Sequence, residues 1–231
     1  MRRFIISTNL VVLMFVLSPA NISWGTDLNS WRQITQEDSI NVQAKSVPGS
    51  DLLLVKGTTT LNHSIEKIFT LAIDHQLRKE WVDRLIHIRR LKEVDGKLDA
   101  IAHYVVDMPW PVKDRDFVIR TRITFDPATE IIASESASIP GFMPEQDNII
   151  RATSHNSTVK LKAINPTETR IEVTARIDPK GSLPIFLVNY FQKRWAHSTL
   201  LSLRDALERL DIPKNNAFQR LTAGKKRPSA I

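Results

Sequence analysis

The feature that most constrains this chain is a stripe near its C-terminal end. Val188, Phe191, Trp195, Thr199, Leu203, Ala206 and Leu210 recur at steps of three and four, the spacing that places side chains on one face of an α-helix. Pro184 suits the first turn, and Asp211-Ile212-Pro213 stops the helix near Leu210. Such a helix is ~40 Å long at 1.5 Å per residue. A stripe of that length must be covered, and a sheet with one apolar face is the surface long enough to cover it.

The preceding sequence supplies that sheet. The pattern predicts strands over 40–47 and 52–61, joined by Pro48-Gly49-Ser50-Asp51, a set of turn residues. Ser64 caps a helix in which Ile65, Ile68, Phe69, Ala72 and Ile73 share a face. A second short helix is predicted over 77–85. Strands over 86–94 and 98–106 meet at the hairpin dipeptide Asp95-Gly96. Further strands are predicted over 117–125, 130–138, 149–154, 158–164 and 170–177, with connections short enough for antiparallel neighbours. Phe117, Ile119, Thr121, Ile123 and Phe125 alternate with Val118, Arg120, Arg122 and Thr124. Ile171, Val173, Ala175 and Ile177 alternate in the same way with Glu172, Thr174 and Arg176. The alternation predicts one buried face and one wet face. The fold class is therefore α+β, with a curved antiparallel sheet wrapped around a long C-terminal helix.

The two ends read differently from the middle. Arg2 and Arg3 precede an apolar run over 10–17, and Ser18-Pro19-Ala20 follows. This is the pattern of a secretory signal peptide, with cleavage expected near Ala20 or Gly25. An uncleaved anchor over 4–24 is the competing reading, since that run reaches the ~20 residues a span needs. Thr8, Asn9, Ser18, Pro19 and Asn21 interrupt it and favour the signal. The reading divides the chain into a signal over 1–25, a folded domain over 26–211 and a basic, disordered tail over 212–231 that contains Lys225, Lys226 and Arg227. An exported protein, periplasmic or secreted, follows.

Composition closes several routes. The 231 residues include no cysteine, which excludes disulfides, thiolate zinc sites, iron–sulfur clusters and a cysteine nucleophile. The six histidines show no metal-ligand spacing, and the seven glycines form no phosphate loop or nucleophile elbow. No cofactor, metal or catalytic constellation is expected. The formal charge of +7 suits weak attraction to anionic lipid surfaces, and no motif reads nucleic acid.

Four stretches carry a family resemblance. Glu80-Trp81 with Asp83, PWPVKDRDFV over 109–118, Arg151, and DPKGSLPIFLVN over 178–189 together resemble START domains, the steroidogenic acute regulatory protein-related lipid-transfer domains. The resemblance covers about 30–210. It implies a helix-grip fold that binds a lipid or sterol between sheet and helix, with no cofactor and usually no catalysis. It also implies a cavity-facing position six residues beyond Arg115, an arginine in many relatives. Here that residue is Thr121, which leaves the polar anchor for the ligand open.

The candidate lipid-binding residues are Tyr104, Val106, Ile119, Thr121, Ile123, Val188, Phe191 and Trp195, with Phe142 and Met143 as a gate. Tyr104 alternates with Ala100, Ala102 and Val106; if that face is the cavity face, small residues leave volume beside a polar phenol tip, and a core tyrosine satisfied by backbone is the alternative. Val188, Phe191 and Trp195 fit contact with either ligand or sheet core. Thr121 offers a ligand one hydrogen bond, or bonds a neighbour instead. Ile139-Pro140-Gly141-Phe142-Met143-Pro144 is an apolar loop stiffened by two prolines, as expected of a membrane, ligand or partner contact; packing into the core is the alternative. Asp114, Arg115 and Asp116 are read as a self-neutralising corner rather than an acid/base site. The partners expected are a lipid or sterol and, transiently, a membrane surface; the protein is expected to be a monomer. Two other functions stay open. One is a cyclase- or hydrolase-type enzyme using His103, Tyr104 and Thr121, and the other is a lipid-responsive interaction protein.

Overall fold

The computed structural model describes residues 30–95 and 98–223. The expected export segment, Gly96 of the hairpin dipeptide and the Lys225-Lys226-Arg227 cluster lie outside the described residues. Chain order is β1 (Arg32–Glu37), β2 (Ile40–Val47), β3 (Ser50–Leu61), α1 (Ile65–Ile73), a 3₁₀ turn (Leu77–Glu80), β4 (Leu85–Asp95), β5 (Asp99–Val106), β6 (Arg115–Asp126), β7 (Ile131–Ser138), β8 (Ile150–Arg151), β9 (Thr153–Ser154), β10 (Ser157–Asn165), β11 (Glu168–Ala175), β12 (Ile177–Asp178), α2 (Ile185–Arg209) and α3 (Ala217–Thr222). The strand β1 was not expected from the sequence. The second short helix contracts to the 3₁₀ turn.

Strand order is β1-β2-β3-β11-β10-β7-β6-β5-β4, all antiparallel, with β8 parallel to β6 and β9 paired with β12. Most neighbours are sequential, as short connections require. The exceptions are β10 beside β7, with the short β8 and β9 between them in the chain, and β3 beside β11, which joins the N-terminal hairpin to the last long strand. Helix α1 begins where Ser64 accepts the Lys67 N–H at 3.3 Å, the side-chain cap that the sequence predicts.

Helix α2 crosses the inner face of this sheet, and its two halves do different work. In the C-terminal half, Ala196, Leu200, Leu203, Ala206 and Leu207 are buried with Val42, Val55, Leu61, Ile171 and Val173 of the sheet and Ile68, Phe69 and Leu71 of α1. The contact is close at Gly57 of β3, where a Cβ would lie 2.9 Å from Leu200 Cδ1 and 3.3 Å from both Ala196 Cβ and Val173 Cγ2. The N-terminal half is held at its flanks. Asn189 Oδ1 accepts the Leu53 N–H at 3.2 Å, and Gln192 Oε1 accepts the Ile177 N–H at 3.1 Å.

Residues 212–223 are a correction to the disordered tail expected over 212–231, whose remainder lies outside the described residues. Residues 212–223 fold back, and α3 packs on α1. Ala217 is buried, and the Phe218 ring meets Phe69 edge-on with centroids 6.0 Å apart. Gln219 Nε2 donates to Glu66 Oε1 at 2.6 Å. The apolar pair Phe218 and Leu221 packs against the core cluster, and that burial outweighs the cost of ordering so short a helix.

Gly57→Val places a branched side chain where α2 meets β3. Overpacking of a filled core costs about 1–3 kcal/mol. Thermal unfolding is expected to show that loss, with no change in the far-ultraviolet spectrum.

Candidate ligand-binding cavity

Between the N-terminal half of α2 and the sheet there is no side-chain core. A cavity of about 460 Å³ lies there, lined mainly by apolar side chains from α1, β5, β6, β7, β10, β11 and α2. The size falls within the ~300–1,000 Å³ common for small-molecule sites. Tyr104, Val106, Ile119, Thr121, Ile123, Val188, Phe191 and Trp195 all line it, as their alternation and helical spacing allow. Phe117 joins them, while Phe125 packs against the core cluster instead.

Phe142 and Met143 do not line the cavity, which corrects their expected place as its gate. Their loop lies over the outer face of the sheet. Arg151 Nη1 donates to the Met143 carbonyl at 3.1 Å, Nη2 donates to the Pro144 carbonyl at 3.2 Å, and Met143 Sδ lies 4.0 Å from Arg89 Nη2. The same arginine grips Asp116 through Nε and Nη2, both at 2.9 Å. His103 Nε2 completes the cluster 2.9 Å from Asp116 Oδ2. The expectation of a uniformly wet outer face is corrected here too, since Ile101, His103, Val105, Asp116 and Val118 are all buried. His103 lies outside the cavity, across the sheet from Tyr104 and Thr121, so the three enzymatic candidates do not converge.

The Lys113-Asp114-Arg115-Asp116 knot also differs from its expected self-neutralisation. Arg115 shares the inward parity of Phe117, while Asp116 faces out. Asp114 Oδ1 accepts the Met108 N–H at 3.0 Å. Arg115, 3% exposed, lines the cavity. Its Nε donates to the Pro179 carbonyl at 3.0 Å and Nη2 to that of Lys180 at 3.1 Å, and Nη1 donates to the Lys113 carbonyl. It therefore ties the β5–β6 loop to the segment that enters α2. Gly181, at φ +73° in the left-handed region, lets that segment pass; a Cβ there would lie 3.4 Å from Arg115 Nη2. Burial pushes the guanidinium pKa down, and the Asp114 charge partly offsets this.

A second cavity arginine, Arg78, was missed by the sequence reading. Its Nη1 donates to the Tyr104 hydroxyl at 3.0 Å, and its Nη2 donates to the Ala72 carbonyl. Neither Arg78 nor Arg115 forms an ion pair with a carboxylate among the described residues. Arg115 could have been found by extending the β6 alternation two residues back. Arg78 sits in an irregular segment where no periodicity points inward. Thr121 is placed in the wall, but its Oγ1 lies 2.9 Å from Ser136 Oγ, so it bonds a neighbour.

Met108, Asp83, Pro179, Leu183 and Val188 also line the cavity, beside the β5–β6 loop and the segment that enters α2. These two stretches and the start of α2 expose large apolar side chains. Trp110 is 93% exposed and Phe186 73%, with Ile185 and Tyr190 also exposed. Lys113, Lys180 and Arg194 are interspersed among them.

Sheet, gripped helix and enclosed apolar cavity define a helix-grip α+β protein. The chain belongs to the START domain family, which matches residues 25–211. It is 27% identical over 201 residues to an uncharacterized protein of Pseudomonas aeruginosa, covering 86% of this chain and 98% of that one. It is 22% identical over 183 residues to the phosphatidylcholine transfer protein of Rattus norvegicus, covering 77% of this chain and 84% of that one. Human StAR-related lipid transfer protein 5 shares the fold with a TM-score of 0.72 at 16% identity, over 79% of this chain and 88% of that one.

Burial alone would raise the Asp116 carboxyl, but hydrogen bonds from Arg151 and His103 outweigh it and the net shift is downward. A depressed carboxylate contributes stability above its unfolded value of about 3.9 and loses it as pH falls through the lower folded value. Asp116→Asn is expected to cost on the order of 3 kcal/mol at pH 7. The gap between variant and wild type should begin to narrow as pH falls below about 4 and go on narrowing through the lower folded value, as read from unfolding midpoints across pH. Phe142→Asp, by contrast, should leave ligand uptake from vesicles unchanged.

Proposed function

We propose that the protein binds one lipid molecule in the cavity beneath α2 and carries it between membranes across an aqueous compartment. The observation that carries this reading is an apolar cavity between helix and sheet, with exposed aromatic side chains on the adjoining β5–β6 loop and the start of α2. Apolar ligand surface moved from water into such a cavity contributes ~25 cal/mol per Å² before ordering costs. The lipid-transfer proteins among the relatives support the same reading.

In this reading the end of the cavity beside the β5–β6 loop is its mouth, where the protein docks. Trp110 and Phe186 project from the two segments that Arg115 holds together, and interfacial aromatic residues favour the headgroup region of a bilayer. Lys113, Lys180 and Arg194 add attraction to anionic lipid. Parting the loop over 107–114 from the segment over 179–183 opens the cavity while the C-terminal half of α2 stays in the core. The signal-like pattern over 1–25 supports work outside the cytoplasm, in a periplasm or after secretion. Among the described residues no helix is long and apolar enough to cross a membrane.

Native mass spectrometry and lipid extraction of the protein purified from its own cells test the reading. A lipid retained at one molecule per chain is expected. A protein that retains none, and takes up none from vesicles, would sink it. The double variant Trp110→Asp with Phe186→Asp should slow transfer between anionic vesicles at least about tenfold, since each loses roughly 1.5–3 kcal/mol of apolar burial. Its unfolding midpoint should be unchanged, because both side chains are exposed.

A further inference from the structure

The cavity wall holds hydrogen-bonding groups in an ordered row. Thr121 of β6 stands opposite Ser136 of β7, and Ser136 opposite Ser157 of β10. Ser157 Oγ lies 2.8 Å from Ser154 Oγ of β9. All four hydroxyl residues line the cavity. The row ends at β12, where Ile177 pairs with Ser154. Ile177 in turn gives its N–H to Gln192 Oε1 at 3.1 Å, which fixes the Gln192 amide from α2 against the end of the row.

Gln192 is 7% exposed and lines the cavity, yet its Nε2 has no hydrogen-bond partner among the described residues. The same holds for Trp81 Nε1 in the cavity wall. Buried donors are nearly always paired, and one left unpaired carries a desolvation penalty. An amide nitrogen and an indole nitrogen can only donate, as can the guanidinium groups of Arg78 and Arg115. The serine and threonine hydroxyls turn either way. Asp83 is the one carboxylate among the lining residues; the groups around Gln192 donate or turn either way, and what they lack is a ligand oxygen.

We propose that Gln192 and the hydroxyl row form the site that reads the ligand, and that they take the ester carbonyl of an acyl lipid. A carbonyl oxygen offers two lone pairs and brings no proton of its own. It can accept from Gln192 Nε2 and from one hydroxyl of the row together. A hydroxyl, such as a sterol carries, can also accept from Gln192, but it brings a proton that must find an acceptor in the same wall. The row fixes the depth of the carbonyl, leaving the acyl chain to the apolar part of the cavity. The proposal rests on the lipid-carrier reading and names the substrate class of that cavity.

The test compares two probes that share headgroup and chain. One is 1-oleoyl-lysophosphatidylglycerol, and the other is its 1-O-alkenyl ether analogue, which lacks the carbonyl. Binding is followed by the fluorescence of Trp81 and Trp195, which line the cavity. Wild type is expected to prefer the ester about three- to tenfold, the worth of one net hydrogen bond. Gln192→Glu keeps the acceptor for Ile177 N–H and replaces the donor with oxygen; it should erase the preference. Gln192→Met, which has neither, should erase it as well and guards against a charge effect or misfolding in the first variant. Equal binding of the two probes by wild type, or a preference that survives in a folded variant, overturns the inference while the carrier reading stands. Binding of neither probe also overturns it. Whether the carrier reading falls too is then decided by the lipid that native mass spectrometry finds or fails to find.

Discussion

The contact on which the rest depends is the seat of α2 on β3 at Gly57. With no side chain there, Leu200 and Ala196 approach the sheet closely, and Leu203, Ala206 and Leu207 follow into the core. That half of the helix is ordinary packing. It fixes where the other half must lie, and the other half roofs a space rather than filling one. Val188, Phe191 and Trp195 continue the same stripe, but the residues below them on the sheet do not reach up to meet them. A cavity persists because the anchored half supplies the burial that holds the roof in place. Opening the mouth therefore need not disturb the core.

Strand β6 divides the molecule's two polar systems by parity alone. Arg115 and Asp116 are neighbours in sequence and point to opposite faces. Inward, Arg115 joins the entry segment of α2 to the β5–β6 loop through three carbonyls. Outward, Asp116 gathers His103 and Arg151 and, through Arg151, pins the loop of Phe142 and Met143 to the sheet. One alternating strand thus ties together the mouth on one side and a covering loop on the other. The buried histidine belongs to the second system, which removes it from any chemistry in the cavity.

The cavity is apolar in most of its lining and specific in a small part. Its donors, Arg78, Arg115, Gln192 and the hydroxyl row, are fixed by backbone groups or by one another, so they are oriented before a ligand arrives. Ordering costs on binding are correspondingly small. The exposed aromatics at the mouth are a separate device and contribute nothing to the core. They would be hard to explain in a protein that never met an apolar surface.

Sequence alone determined the long strands other than β1, the cap at Ser64, the long helix and the inward faces of β6 and β11, because periodicity is a local signal and these elements obey it. It named eight residues that line the cavity, from Tyr104 to Trp195, but for Val188, Phe191 and Trp195 the stripe alone left cavity and sheet core equally open. Only the tertiary structure decided where the loop of Phe142 lies, since Arg151 holds it through contacts to residues far apart in the chain. It also decided that α3 packs against α1, through the Phe218–Phe69 contact. The hydroxyl row was hidden because its members come from four strands and share a line only once their registers are set. Gln192 reads as one polar residue beside an apolar stripe. That its amide is held by Ile177, buried and left without an acceptor depends on how sheet and helix meet, which no local pattern records.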